Sequence, residues 1–252
     1  MAPGQQAAPE RARGGRQVSR RDARGMTLLE VSIVLAIIAV LAALAYAGYA
    51  QLSARAGPQN AAADLSGALA EARARAVDRQ ADVWLIIYPD INPEGQAGAG
   101  HGAWFLLEDR LRNFGDAAGA GGQLSFGTFS PPLDIQPSAD QGRLMDAMYM
   151  DRYSQRTVRF GASGNLAWTG IFEGLAPTAC SFCSGAPRRG AIVFRGDGSA
   201  RFVDGAGQPV IPAGNGAVNR AASLALLSTD GQREYLFAVS APVGFVDMRV
   251  NR

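Results

Sequence analysis

The chain has 252 residues, enough for one large domain or two small ones. Its 24 basic residues are all Arg and nearly balance 22 acids, so the net charge of +2 gives no general reason to expect a nucleic-acid partner. The single His, His101, excludes His-cluster metal sites and argues against a His-based catalytic triad, and two Cys cannot build a disulfide scaffold.

The charge is unevenly spread. Residues 1–25 carry six Arg against Glu10 and Asp22, a net of +4, and almost no apolar content. Residues 26–252 hold 18 Arg against 20 acids. The basic balance therefore belongs to the leader.

An apolar helix follows at once. From Val31 to Ala47 run seventeen uncharged residues, of which only Ser32 and Tyr46 carry a polar group. At 1.5 Å per residue this spans about 26 Å, close to a hydrocarbon core of about 30 Å. The Arg-rich flank predicts a cytoplasmic N-terminus with the rest of the chain outside the cytoplasm. An ordinary signal peptide is an alternative, since Ala45-Tyr46-Ala47 supplies an A-x-A site. A plain signal anchor is another. Neither accounts for Glu30 at the head of the run. A carboxylate in lipid costs roughly 2.5–3.5 kcal/mol at the bilayer centre and less near the interface, so a partner is expected.

Gly25-Met26-Thr27-Leu28-Leu29-Glu30-Val31 resembles the cleavage and assembly motif of type IV pilins and type II secretion pseudopilins. Four features coincide: a basic polar leader, Gly25, Glu30 five residues later, and an apolar run placed after the cut. Met26 stands where the family usually has Phe. The resemblance implies that a prepilin peptidase cuts between Gly25 and Met26 and that Met26 becomes N-methylated. It also implies that Glu30 pairs with a neighbouring subunit's N-terminal amine and sets assembly register. Met26 and Glu30 are four apart and share a helical face, and a charge buried without a partner is costly.

Beyond the membrane, Gly57-Pro58 is expected to break or kink the helix. A second, amphipathic helix is expected from about 61 to 79, with Leu65, Leu69, Ala72, Ala76 and Val77 as its apolar stripe. Ala72, Arg73, Ala76 and Val77, leading into a strand at 83–88, resemble the GspH/FimT type of minor pseudopilin and minor pilin. The division is then a leader at 1–25, an assembly helix at 26–57, an amphipathic helix at 58–80 and a β-rich head at 81–252.

Strands are expected at 83–88, 103–107, 124–129, 157–160, 191–194, 200–203, 223–228, 234–239 and 245–250. Asp197-Gly198 and Asp230-Gly231 each separate two apolar runs, a strong hairpin signal. Short strands with such turns predict an α+β, type IV pilin-like fold: a long N-terminal helix followed by an antiparallel β-sandwich head. Residues 89–102 and 112–156 read as long loops.

Few residues suggest chemistry. Cys180-Ser181-Phe182-Cys183 reads first as a local disulfide, with redox-active thiols or a metal pair as alternatives. Two thiolates alone cannot complete a tetrahedral zinc site. His101 lies in a Gly-rich stretch and reads as a solvated loop residue. Gly196-Asp197-Gly198-Ser199 lacks the Lys and helix of a phosphate loop. No EF-hand run is present, and no cofactor is expected.

The resemblance therefore implies a non-enzymatic minor pseudopilin of a type II secretion pseudopilus, anchored in the inner membrane with a periplasmic head. Its partners would be prepilin peptidase, other pseudopilins in a filament or tip complex, and secreted cargo. The alternative is a FimT-type minor pilin of a type IV pilus that binds DNA through Arg249 and Arg252. The tail lacks the Gly-Arg-x-Arg form of that motif and contains Asp247. A membrane-anchored enzyme is a third class, and no catalytic constellation supports it.

Overall fold

The computed structural model describes residues 27–115, 125–130, 143–153, 156–211 and 221–251. The chain divides after Gly48 into an N-terminal unit and a head that begins at Tyr49. Helix α1 covers Leu28–Arg79. The helix continues through Gly57 and Pro58 instead of breaking there. Two local facts allow this. Pro fits helical φ and removes one hydrogen bond. The usual clash with the preceding Cβ is absent because residue 57 is Gly.

Within the head, Ala61, Ala62, Leu65, Ala68, Leu69, Ala72 and Ala76 recur at helical spacing and are all buried. Their small side chains let the backbone approach the sheets closely. Val77, expected in this stripe, is 45% exposed and lies off the face. Gln80 ends the helix in the left-handed region (φ 52°), and the Ala81 amide bonds back to the Ala76 carbonyl.

Among the described residues ten strands follow, β1 to β10: Asp82–Tyr88, Ala103–Asp109, Arg143–Tyr149, Val158–Phe160, Gly190–Phe194, Ala200–Val203, Pro209–Val210, Ala221–Ser228, Glu234–Ser240 and Val246–Asn251. They form two antiparallel sheets, ordered β3-β2-β1-β5-β6-β7 and β10-β9-β8-β4. β1 is central and buried along its whole length, which explains its unbroken apolar run. Val83, Leu85 and Ile87 face the helix and the second sheet, whose Leu224, Leu226, Phe237 and Val239 join the same core. Trp84, Ile86 and Tyr88 face the other way, under Phe114, Phe126 and Phe129. The outer face of the second sheet is covered by Trp168 and Phe172.

The two expected hairpins are present. Gly198 (φ 80°) lies between β5 and β6, and Gly231 (φ 71°) between β8 and β9. One expected strand is corrected, and two strands lie where none is expected. Residues 125–129 form a turn, and residue 124 lies outside the described residues. Phe126 and Phe129 in that turn cap the outer aromatic core, stacking near Trp84 and Tyr88 at 5.6 and 6.3 Å between centroids. β3 falls inside the stretch 112–156 that reads as loop, and pairs along β2 from Ala103↔Tyr149 to Glu108↔Arg143. β7 is a two-residue strand on β6.

Candidate functional site

The N-terminal unit presents α1 from its first turn. Thr27 precedes the helix, and its Oγ1 accepts a hydrogen bond from the Glu30 amide at 3.3 Å. Thr27-x-x-Glu30 thus has the sequence form of a capping box. Glu30 stands in the first turn, where a negative charge is favoured by the helix dipole. A carboxylate at this position suits the helix terminus, apart from any partner in another chain.

Residues 28–46 expose apolar side chains all around the helix, from Val31 at 41% to Leu28 at 87%. A helix apolar on every face belongs in lipid or in a bundle of similar helices. The stretch Leu28–Tyr46 is 19 residues long and apolar enough to cross a membrane. Its length is about 28 Å at 1.5 Å per residue. Inside it, the Ser32 hydroxyl donates to the Leu28 carbonyl at 2.7 Å. That bond satisfies a hydroxyl near the head of the run, which lipid could not do. Gly25 and Met26 lie outside the described residues, so the cleavage position itself is not described.

A family model for the prokaryotic N-terminal methylation motif matches residues 20–46. The chain carries a type IV prepilin-like N-terminus. This motif supports a protein of the pilin or pseudopilin type, processed by prepilin peptidase and assembled with other pilin-like subunits. It points to a structural protein, and the apolar helix behind it is consistent with membrane anchoring. No curated protein and no solved structure matches the chain.

The other sequence candidates lie in the head. Cys180 and Cys183 are joined by a disulfide with their Cα atoms 5.4 Å apart. The bridge sits at a seam. Cys180 pairs with Leu224 of the second sheet, and the Cys183 Sγ lies 3.9 Å from the Ile87 carbonyl oxygen of the first. Phe182, between them, packs on Phe202.

His101 is not a free loop residue. Its Nδ1 lies 2.9 Å from Asp151 Oδ1, and its amide donates to Asp151 Oδ2 at 3.1 Å. It thereby ties the loop before β2 to the turn after β3. Arg249 sits 5.7 Å from the Trp168 ring centroid and donates to the Thr169 carbonyl at 3.3 Å. Arg252 lies outside the described residues. Among the described residues, no group of three or more His, Cys, Asp or Glu could hold a metal ion.

Proposed function

We propose that this protein is a minor pseudopilin of the GspH/FimT type, a structural subunit of a type II secretion pseudopilus. The observation that carries the reading is the methylation motif ending in a helix that is apolar on all sides yet headed by Glu30. A signal peptide needs no acid at that point. In this reading prepilin peptidase cuts between Gly25 and Met26, Met26 is N-methylated, and the helix first anchors the chain in the inner membrane. The basic leader keeps the N-terminus cytoplasmic and the head periplasmic. The helix then leaves lipid for a bundle, where Glu30 meets the amine of a neighbouring subunit. An antiparallel head preceded by Ala72, Arg73, Ala76 and Val77 supports the subtype. The head contacts other pseudopilins or cargo. Its Arg249 already has an aromatic ring and a carbonyl to satisfy it, which favours protein contacts over DNA for this surface.

Mass spectrometry of the mature protein tests the reading. N-methyl-Met26 at the start is the expected result. A mature start at Gly48 would identify an ordinary signal peptide and end it. Cross-linking in cells then separates the machines: capture of secretion pseudopilins supports the assignment, and capture of pilus subunits alone replaces it.

A further inference from the structure

The head contains a cleft of about 520 Å³ that the assembly reading does not use. It opens where α1 ends, beside Gln80, and is walled by the turn after β2 and by the β5–β6 hairpin. Three guanidinium groups line it, those of Arg112, Arg195 and Arg201, with Asp82 and Asp197.

The positive charges are incompletely answered. Asp82 is buried and lies 3.7 Å from Arg112 Nε and 3.9 Å from an Arg201 terminal nitrogen, both beyond hydrogen-bond range. Asp197 Oδ1 is occupied by the Ser199 amide at 2.8 Å. Arg201 Nε is buried without an acceptor. Burial and the nearby Arg195 charge together hold Arg201 below its ordinary basicity, against the pull of Asp82 and Asp109. Among the described residues, no acceptor is within hydrogen-bond distance of the Arg195 side chain. Arg112 is fixed at the edge by a bond to the Gln80 carbonyl at 2.9 Å, with its own φ at 56°.

We propose that this cleft binds a carboxylate from an acidic segment of a partner protein, gripped by Arg195 and Arg201 with Arg112 beside them. Paired guanidinium donors match the two oxygens of a carboxylate. The lining carries three positive and two negative charges, a surplus that suits one anion. From Tyr49 onward the head holds 18 Arg and 19 acids, so no wider positive field draws nucleic acid to it. Small-molecule pockets are mostly apolar with a few polar groups. This one is lined mainly by charged residues and glycines, which fits a docking side chain better than an enclosed metabolite. The inference concerns the head alone and does not depend on the assembly reading.

The test uses the full chain in detergent and a short fluorescent peptide of alternating Glu and Ser. Saturable binding is expected, weakening with salt and about tenfold looser in Arg195→Gln. Arg195 is exposed and makes no side-chain hydrogen bond among the described residues, so an unchanged melting temperature is expected to show that the fold is kept. The peptide with Gln in place of Glu should not bind. Absence of saturable binding overturns the proposal, as does binding by the Arg195→Gln and Arg112→Gln variants as tight as that of the unmodified protein. Acetate competing as well as the peptide would assign the cleft to a free carboxylate instead. Duplex DNA binding more tightly than the peptide, and lost in the same variants, would assign it to nucleic acid.

Discussion

The Tyr153 hydroxyl donates to Asp64 Oδ2 at 2.6 Å, joining α1 to the turn after β3 across 89 positions of sequence. Burial raises the Tyr153 pKa, and the Asp64 carboxylate raises it further, so the hydroxyl stays protonated as a donor. Tyr153→Phe should lower head stability by about 1–2 kcal/mol, the range for a hydrogen bond to a charged group that is partly open to water. A double-mutant cycle with Asp64→Ala should return most of that as coupling. Urea titration of the detergent-solubilised protein reads both. Additive losses would show that the pair does not act together.

Among the described residues, Arg189 binds no carboxylate. Its guanidinium donates to the carbonyls of Phe129 at 2.7 Å and Gly205 at 3.0 Å and to the Tyr88 hydroxyl at 3.2 Å, and it lies 4.6 Å from the Phe126 ring centroid. One planar fork thus clamps the 125–130 turn onto β1. Arg189→Lys keeps the charge and loses the fork. It should cost about 2 kcal/mol and raise hydrogen exchange in residues 125–130 first. Unchanged exchange there would show that the aromatic contacts alone hold the turn.

Asp230 supports the β8–β9 hairpin. Its Oδ1 accepts from the Ser228 hydroxyl at 2.5 Å and from the Gln232 amide at 3.0 Å. These bonds, that of Ser228 foremost, hold its pKa below the ordinary value. A depressed folded-state pKa means that the stabilisation is fully present above the unfolded value, about 4, and is lost as pH falls through the folded one. The stability gap between the wild type and Asp230→Asn should be constant near neutrality and close in acid below about pH 4. A gap independent of pH would remove the charge from the account.

Glu30 can be separated into its two roles. Gln keeps the capping-box pattern with Thr27 and removes the charge, whereas Ala removes both. Neither change should harm membrane insertion, because each deletes a charge that is costly in lipid. If the charge sets register, both variants should cross-link poorly to other subunits. Normal assembly of Glu30→Gln with failure of Glu30→Ala would reduce Glu30 to a helix cap.

Much of this architecture is legible in the sequence because its signals are local. The all-round apolar run, the Asp-Gly turns and the continuous β1 segment each announce themselves within ten or so residues. β3 does not. Its sequence, Arg-Leu-Met-Asp-Ala-Met-Tyr, has no β-branched residue and becomes a strand by lying along β2. Residues 125–129 err in the other direction. Their aromatic and β-branched content resembles a strand, but two aromatics and a distant guanidinium turn them into a cover over Trp84 and Tyr88. Arg189 and His101 were equally opaque, since their acceptors are 60 and 50 positions away.

Chain order has a consequence for how the head is made. The helix face at 61–76 is synthesised first, whereas β8 and β9, part of the surface that buries it, come near the end. Local contacts cannot substitute, because α1 contributes small side chains that need both sheets to close over them. A nascent chain stopped before residue 221 could form the β1–β2 and β5–β6 hairpins and would still carry an open Ala/Leu groove. Quality control should therefore treat such a product as an unfinished client for chaperones and proteases, not as a smaller working head.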